Sequence, residues 1–318
     1  MKLGEIYQLF IKSGIENDPR NLKRIERILL EEKKKFDKLD PAEKDSFDIE
    51  RLTNPFADTR ILYGDRDLEV NRILVGIDME VGEVLMADRL SEKGQKIDLI
   101  LSHHPEGIAL AGLSDVMNIQ SDVLNLYGVP INVAEGSLAS RISEVSRGIA
   151  PVNHQRSIDA AKLLGFPFMS SHTVADNMVY TYVKKAMDIG QPETVGDVIN
   201  ILMGIPEYQE GKKLGAGPRL FVGKEESRAG KIAVTEMTGG TSGSKEIFEK
   251  MSQAGIGTII GMHMGEEHRK EAEKYHLNVV IAGHMASDSL GMNLLLDKLE
   301  KRGIEIIPVS GLIRVSRN

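Results

Sequence analysis

The sequence predicts an α/β protein built by internal duplication and preceded by a helical N-terminal extension. Three observations predict this. From Arg72 onward, short apolar runs alternate with segments of helical spacing. Two blocks of that alternation recur in the same order. Residues 1–50 instead carry apolar residues only at helical spacing, as in Glu5-Ile-Tyr-Gln-Leu-Phe-Ile-Lys12.

The extension, residues 1–53, reads as two or three helices, and its charge-rich stretch 31–51 as a solvated helix face. In the first copy, a strand over 72–78 precedes a helix over 81–93, which Gly94 ends. A strand over 97–102 then reaches His103. In the second copy, a strand over 231–236 precedes a helix over 242–254, ended by Gly255. A strand over 256–261 then leads toward His263. Thirty residues separate Ile73 from His103, and thirty-one separate Ile232 from His263. The second block also repeats. A helix over 157–164 with a Gly165 stop leads through a strand to His172-Thr-Val-Ala-Asp176. A helix over 268–275 leads through a strand to His284-Met-Ala-Ser-Asp288.

The first copy carries an insertion, residues 107–153, expected on the surface of that repeat. Helices are expected over 114–127 and 138–147, with a strand over 129–134 between them. A helix over 197–203, a Gly-rich stretch and a strand over 219–222 connect the repeats. The resulting division is 1–53, 54–190 and 191–318, with the site in the cleft between the two repeats.

Composition limits the chemistry. With 318 residues and 41% hydrophobic content the chain can bury a sizeable core. A net charge of -7 makes nucleic acid an unexpected partner. The absence of Cys excludes thiolate ligands, so a transition-metal site must use His, Asp and Glu, which suits Zn, Mn, Fe or Ni. No secretory h-region and no membrane-spanning run is evident, and the chain reads as cytoplasmic.

Four strand ends hold polar groups: His103 with His104, His172 with Asp176, His263, and His284 with Asp288. Adjacent residues at a strand end point to opposite sides, so His103 and His104 can serve two different metal ions. Ligands collect outside the carboxyl ends of strands in open α/β sheets. A carboxylate four residues after a histidine faces the same way once the chain turns helical. Asp176 or Asp288 could therefore ligate beside its histidine or bridge two metals. Each such Asp is also an ordinary helix N-cap candidate. His154, His268 and His276 read as surface or satisfied histidines.

The motifs Ser102-His103-His104-Pro105, His172-Thr-Val-Ala-Asp176 and Gly283-His284-Met-Ala-Ser-Asp288 together resemble the Nif-three-like family. Bacterial members of that family are often labelled GTP cyclohydrolase type 2 homologues. The resemblance covers about residues 54–318. It implies two intertwined α/β repeats with mixed sheets, the Nif-three-like fold, and often a homo-oligomeric ring of six copies. It also implies two divalent metal ions held by His103, His104, Asp176, His284 and Asp288, with the last carboxylate bridging. His172 then stands beside the ligands. The family pattern has Glu where this chain has Asp288, and an apolar residue where it has Glu106.

Two metals can activate a shared water and clamp a phosphoryl or carbonyl oxygen. The expected activity is metal-dependent hydrolysis of a small molecule, either a nucleotide or another phosphorylated or ring-amide compound. GTP cyclohydrolase-like ring opening fits this chemistry. His172, Glu106 and His263 are the candidate proton shuttles. The loop holding Thr238, Gly239, Gly240, Ser242 and Gly243 is a candidate anion cradle at a helix N-terminus, or else a plain turn. A non-catalytic metal-binding scaffold acting through protein partners is the rival class.

Overall fold

The structure of the protein is a computed structural model describing residues 1–318. Nine strands form two mixed sheets. They are β1 (Thr59–Tyr63), β2 (Arg72–Gly76), β3 (Leu99–Ser102), β4 (Phe168–Ser171), β5 (Arg219–Val222), β6 (Lys231–Val234), β7 (Ile256–Gly261), β8 (Asn278–Ile281) and β9 (Glu305–Pro308). The first sheet has the order β1-β4-β3-β2-β9 and the second β5-β8-β7-β6. In each sheet three consecutive strands, β2-β3-β4 or β6-β7-β8, pair in parallel, and an antiparallel strand closes the β4 or β8 edge. The duplication read from the sequence is thus a duplication of topology. The C-terminal β9 pairs with β2 of the first sheet, which ties the chain's end to its first half.

The parallel strands are apolar on both faces because both faces are covered. Leu74, Ile100 and Phe168 pack with Val84 and Ile158 from the covering helices Val81–Glu92 and Arg156–Leu164. Ile73, Val75, Leu99 and Leu101 face the larger core, which also holds Ile260 and Val280 of the second sheet. The first helix, Leu3–Glu16, is part of that core through Leu3, Ile6 and Phe10, all fully buried. The helices Leu22–Lys38 and Pro41–Ser46 complete the extension and are mostly solvated, as their charge predicts.

Three local expectations need correction. Residues 129–134 form no strand. Pro130 caps the helix Ile131–Ile149, where its fixed φ and missing N–H suit a helix start. The insertion does not lie only on the first repeat. Ile119, Val123, Leu124 and Leu138 enter the main core, and Gln120 Nε2 donates to the carbonyls of Gly239 and Thr241 in the second half. Finally, the helix expected from residue 242 begins only at Ile247. Three glycines in residues 239–243 favour a loop, and the Ser244 hydroxyl accepts the Glu246 N–H in a local turn.

The two helices that leave the site strands, Thr173–Gly190 and His284–Glu300, pack directly on each other. Gly291 permits this, because a Cβ there would collide with the Ala175 carbonyl. Asp176 and Asp288, one near the start of each helix, are thereby brought together.

Candidate metal centre

His103 and His104 lie just past the end of β3, in a bend held by their N–H groups, which donate to the carbonyls of Gly76 and Ile77 at 3.0 and 2.9 Å. Their rings converge instead of pointing to opposite sides: the centroids lie 5.3 Å apart, and ligand atoms of His103, His104 and His172 lie within 4.8 Å of one another. Strand register also identifies the counterpart in the second repeat. Leu101 pairs with Val75 and Ile260 with Val234, and His104 and His263 each follow three residues later. The second block is less regular. His172 alone separates β4 from its helix and caps it, whereas Ala282 and Gly283 separate β8 from the helix that His284 begins. Gly283 has φ 109°, and a side chain there would strike the Ala216 carbonyl. The two His-x-x-x-Asp motifs are thus one residue out of register. Neither Asp is an N-cap; both lie inside their helices on the side of their histidine.

These elements bring His103, His104, His172, Asp176, His284 and Asp288 to one place. His103 Nε2 lies 3.5 Å from Asp176 Oδ1 and 3.4 Å from Asp288 Oδ1. His104 Nε2 and His284 Nε2 each lie 3.5 Å from Asp288 Oδ2. His172 Nε2 lies 3.8 Å from Asp176 Oδ2. These separations exceed a normal hydrogen bond. They match the spacing of donors that share one cation, since two bonds of ~2.0–2.1 Å at a tetrahedral angle place their donors about 3.4 Å apart.

The Nδ1 atoms are anchored elsewhere. His103 Nδ1 donates to the Ser171 carbonyl at 3.1 Å, which leaves its Nε2 lone pair facing the centre. His104 Nδ1 meets Asp78 Oδ1 at 2.7 Å, and His172 Nδ1 meets Asp58 Oδ2 at 2.8 Å. Asp58, fully buried, also accepts the Thr173 hydroxyl at 2.6 Å. Carboxylates in this position fix ring orientation and raise ligand basicity. Asp58→Asn and Asp78→Asn are each expected to weaken divalent-metal affinity about 10–100-fold, read by competition with a chromophoric chelator. Unchanged affinity in both variants would refute their orienting role.

The electrostatics also call for a cation. Asp176 and Asp288 are buried with only histidines as ion-pair partners. Burial pushes the Asp176 carboxyl up to about 8. Burial also opposes ionisation of Asp288, but His103, His104 and His284 outweigh it and hold that carboxyl far below its ordinary value. Burial lowers His104, yet Asp288 and Asp78 prevail and raise it to about 10. Burial dominates at His103, His263 and His284, which are all lowered. His103 Nε2, Asp176 Oδ1 and both Asp288 oxygens are buried without a hydrogen-bond partner. Orphaned buried donors at this spacing, all nitrogen and oxygen, fit a borderline divalent metal.

Among solved structures, the chain is similar to a NIF3 superfamily protein from Sphaerobacter thermophilus. The two are 27% identical with a TM-score of 0.70, over 80% of this chain and 92% of that one. That likeness supports a NIF3-like family assignment. Reduced HcgD from Methanocaldococcus jannaschii is 15% identical with a TM-score of 0.48, over 85% of this chain and 97% of that one. A protein from Thermus thermophilus is 15% identical with a TM-score of 0.45, over 82% of this chain and 89% of that one. These two are too distant to carry an argument. No protein-family model and no curated protein matches the chain.

The remaining sequence candidates take varied places in the structure. His263 joins the centre: its ring lies 5.0 Å from that of His284, and its Nδ1 lies 3.0 Å from Ser242 Oγ. Glu106 sits outside the cluster, beside Ser157 and Arg156. Thr238 and Gly240 line the small pocket over the centre, but Thr238 Oγ1 also donates to Asn177 Oδ1 at 2.5 Å. Gly239 packs against Gln120, and the Gly243 N–H donates to Glu236 Oε1 at 3.2 Å. Sequence reasoning missed Asp58, Asp78 and Glu236. Asp78 and Glu236 carried one usable signal, since each lies just past the strand that neighbours a histidine-ended strand.

Proposed function

We propose that the protein is a dinuclear-metal-dependent hydrolase of small molecules. One observation carries this reading: donor atoms stand in two sets around Asp288, one set at each carboxylate oxygen. His103 and Asp176 stand with Oδ1, and His104 and His284 stand with Oδ2. The carboxylate of Asp288 is short, but its helix is already in close contact with the Asp176 helix, which supports bridging despite the missing methylene. Two divalent cations bound there, from among Zn, Mn, Fe and Ni, supply Lewis acidity and an activated water.

The chain's residues do the rest. Asp78 and Asp58 hold His104 and His172 with their Nε2 atoms inward. His104 and His284 are partly exposed, so substrate enters from their side. His263, lowered by burial and neutral near pH 7, is placed to take or return a proton at the pocket. Glu106 lies too far into its own contacts to be the first choice as a base. A ring of copies is the assembly that the family resemblance implies.

The test is turnover by metal-loaded protein across nucleotides, phosphoesters and cyclic amides, with His104→Ala as control. Hydrolysis that is lost in the variant supports the reading. Loaded protein that turns over none of the three classes is instead a metal-binding scaffold.

A further inference from the structure

The Gly-rich loop beside the centre is held by its carbonyls. Gln120, buried on the helix Ile119–Leu126 of the insertion, donates from Nε2 to the Gly239 and Thr241 carbonyls at 2.8 and 2.6 Å. Arg141 Nε donates to the Ser242 carbonyl at 3.0 Å, and His268 Nε2 to the Gly243 carbonyl at 3.0 Å. Gly240 and Thr241 line the small pocket over the centre, whereas Gln120 lines the neighbouring apolar cavity and not that pocket.

Those bonds decide where the loop's amide hydrogens point. A planar trans peptide directs the C=O of one residue and the N–H of the next to opposite sides. With the Gly239 and Thr241 carbonyls turned to Gln120, the Gly240 and Ser242 N–H groups face away from it, on the side of the pocket. No protein group accepts from either N–H. The next peptide shows what such a donor meets. Arg141 holds the Ser242 carbonyl, and the Gly243 N–H opposite it meets Glu236 Oε1 at 3.2 Å. Glu236 lines both cavities and holds φ 53°, a left-handed conformation uncommon for a residue with a side chain. Gly239 and Gly240 are left-handed too, at φ 86° and 87°. Successive N–H groups in such conformations form a concavity that binds anions. These donors belong to the loop itself, since the following helix starts only at Ile247. The pocket's free volume is about 20 Å³, room for a single oxygen and not for the body of a substrate.

We infer that Gln120 is a positioning residue: it holds the loop so that the Gly240 and Ser242 N–H groups receive one anionic oxygen of an oxyanion-bearing substrate, phosphate being the simplest case. The insertion thereby shapes the pocket without supplying a metal ligand. This rests on the hydrolase reading above and deepens it, by naming the group that the site takes.

The experiment is calorimetric titration of the metal-loaded full chain with inorganic phosphate, with metal content measured on the same samples. Phosphate is expected to bind the wild type. Gln120→Met keeps the length of the side chain but removes its donors, and should weaken phosphate at least about tenfold with metal content unchanged. Arg141→Met, at a partly exposed position, frees one carbonyl and should weaken phosphate about threefold. Glu236→Gln removes the charge already at the loop and should tighten phosphate, which places the anion there. A general loss of stability would not lower one affinity and raise another at constant metal content. No phosphate binding by loaded wild type, an affinity unchanged in Gln120→Met and Arg141→Met, or binding no tighter in Glu236→Gln overturns the inference while leaving the metal centre intact. Metal lost from Gln120→Met overturns it too, because Gln120 then acts on the centre and not on the loop. Should Gln120→Met fail to fold, Arg141→Met decides. Wild-type samples that take up no metal instead overturn the hydrolase reading, and this inference with it.

Discussion

Asp288→Ala is expected to strip metal from both donor sets at once. Each oxygen of that carboxylate faces a different histidine set, at 3.4 Å from His103 and 3.5 Å from His104 and His284. Loss of a bridging ligand therefore weakens two sites, whereas His104→Ala removes a donor from only one. Metal content by elemental analysis should fall from about two ions per chain to well below one. Asp288→Glu restores the residue usual in the family pattern and should retain metal, because the added methylene lengthens the carboxylate without removing it. Cooperative thermal unfolding of the alanine variant would show that its metal loss is not misfolding. Removing this carboxylate takes from His104 a partner that keeps it protonated, so the chelated alanine variant should unfold at a lower temperature than chelated wild type at neutral pH. An alanine variant that keeps both ions would show that Asp288 is not shared.

The second large effect is on stability against pH. In chelator-treated protein, Asp176 titrates near 8 when folded, above the ordinary 3.8. The folded state then holds a proton that the unfolded chain has released, so stability falls as pH rises from about 4 to about 8. His104 acts in the same direction. Raised from 6.5 to about 10, it contributes stability fully present below pH 6.5 and lost as pH rises through about 10. Asp288, lowered, contributes above its ordinary 3.8 and loses that contribution only in acid. Between pH 6 and 9 the first two effects dominate, and the melting temperature of stripped protein should drop by about 5 °C or more. Divalent metal displaces those protons and binds better as they leave, so the gap between loaded and stripped protein should widen with pH. A gap that is constant or narrows over this range would contradict the placement of Asp176 and His104 as ligands.

Much of this was legible in sequence because the chemistry sits at strand ends. The repeat pattern pointed to His263, but the divergence that strand geometry predicts for His103 and His104 is not seen: the chain bends after Ser102 and both rings face Asp288. Asp58 and Asp78 were not legible. Each reaches its histidine through a tertiary contact, across 114 and 26 residues of chain, and a single Asp in a loop carries no periodic signal. The one-residue offset between the His172 and His284 motifs was hidden for another reason. Spacing within each motif is identical, and the extra residue is taken up before the helix by Gly283 in a positive-φ conformation. The stretch 129–134 misled because its apolar residues suit a strand, while Pro130 and the core contacts of Ala134 and Leu138 favour a helix. Glu236 stood out only once its backbone conformation and its two cavities were known.

The most direct measurement is the number of divalent ions bound per chain after reconstitution and removal of excess metal, by elemental analysis against protein concentration. Two donor sets around one shared carboxylate predict about two ions per chain. No retained metal under conditions where the fold is intact would contradict the centre itself, and a single ion would contradict the bridging role of Asp288.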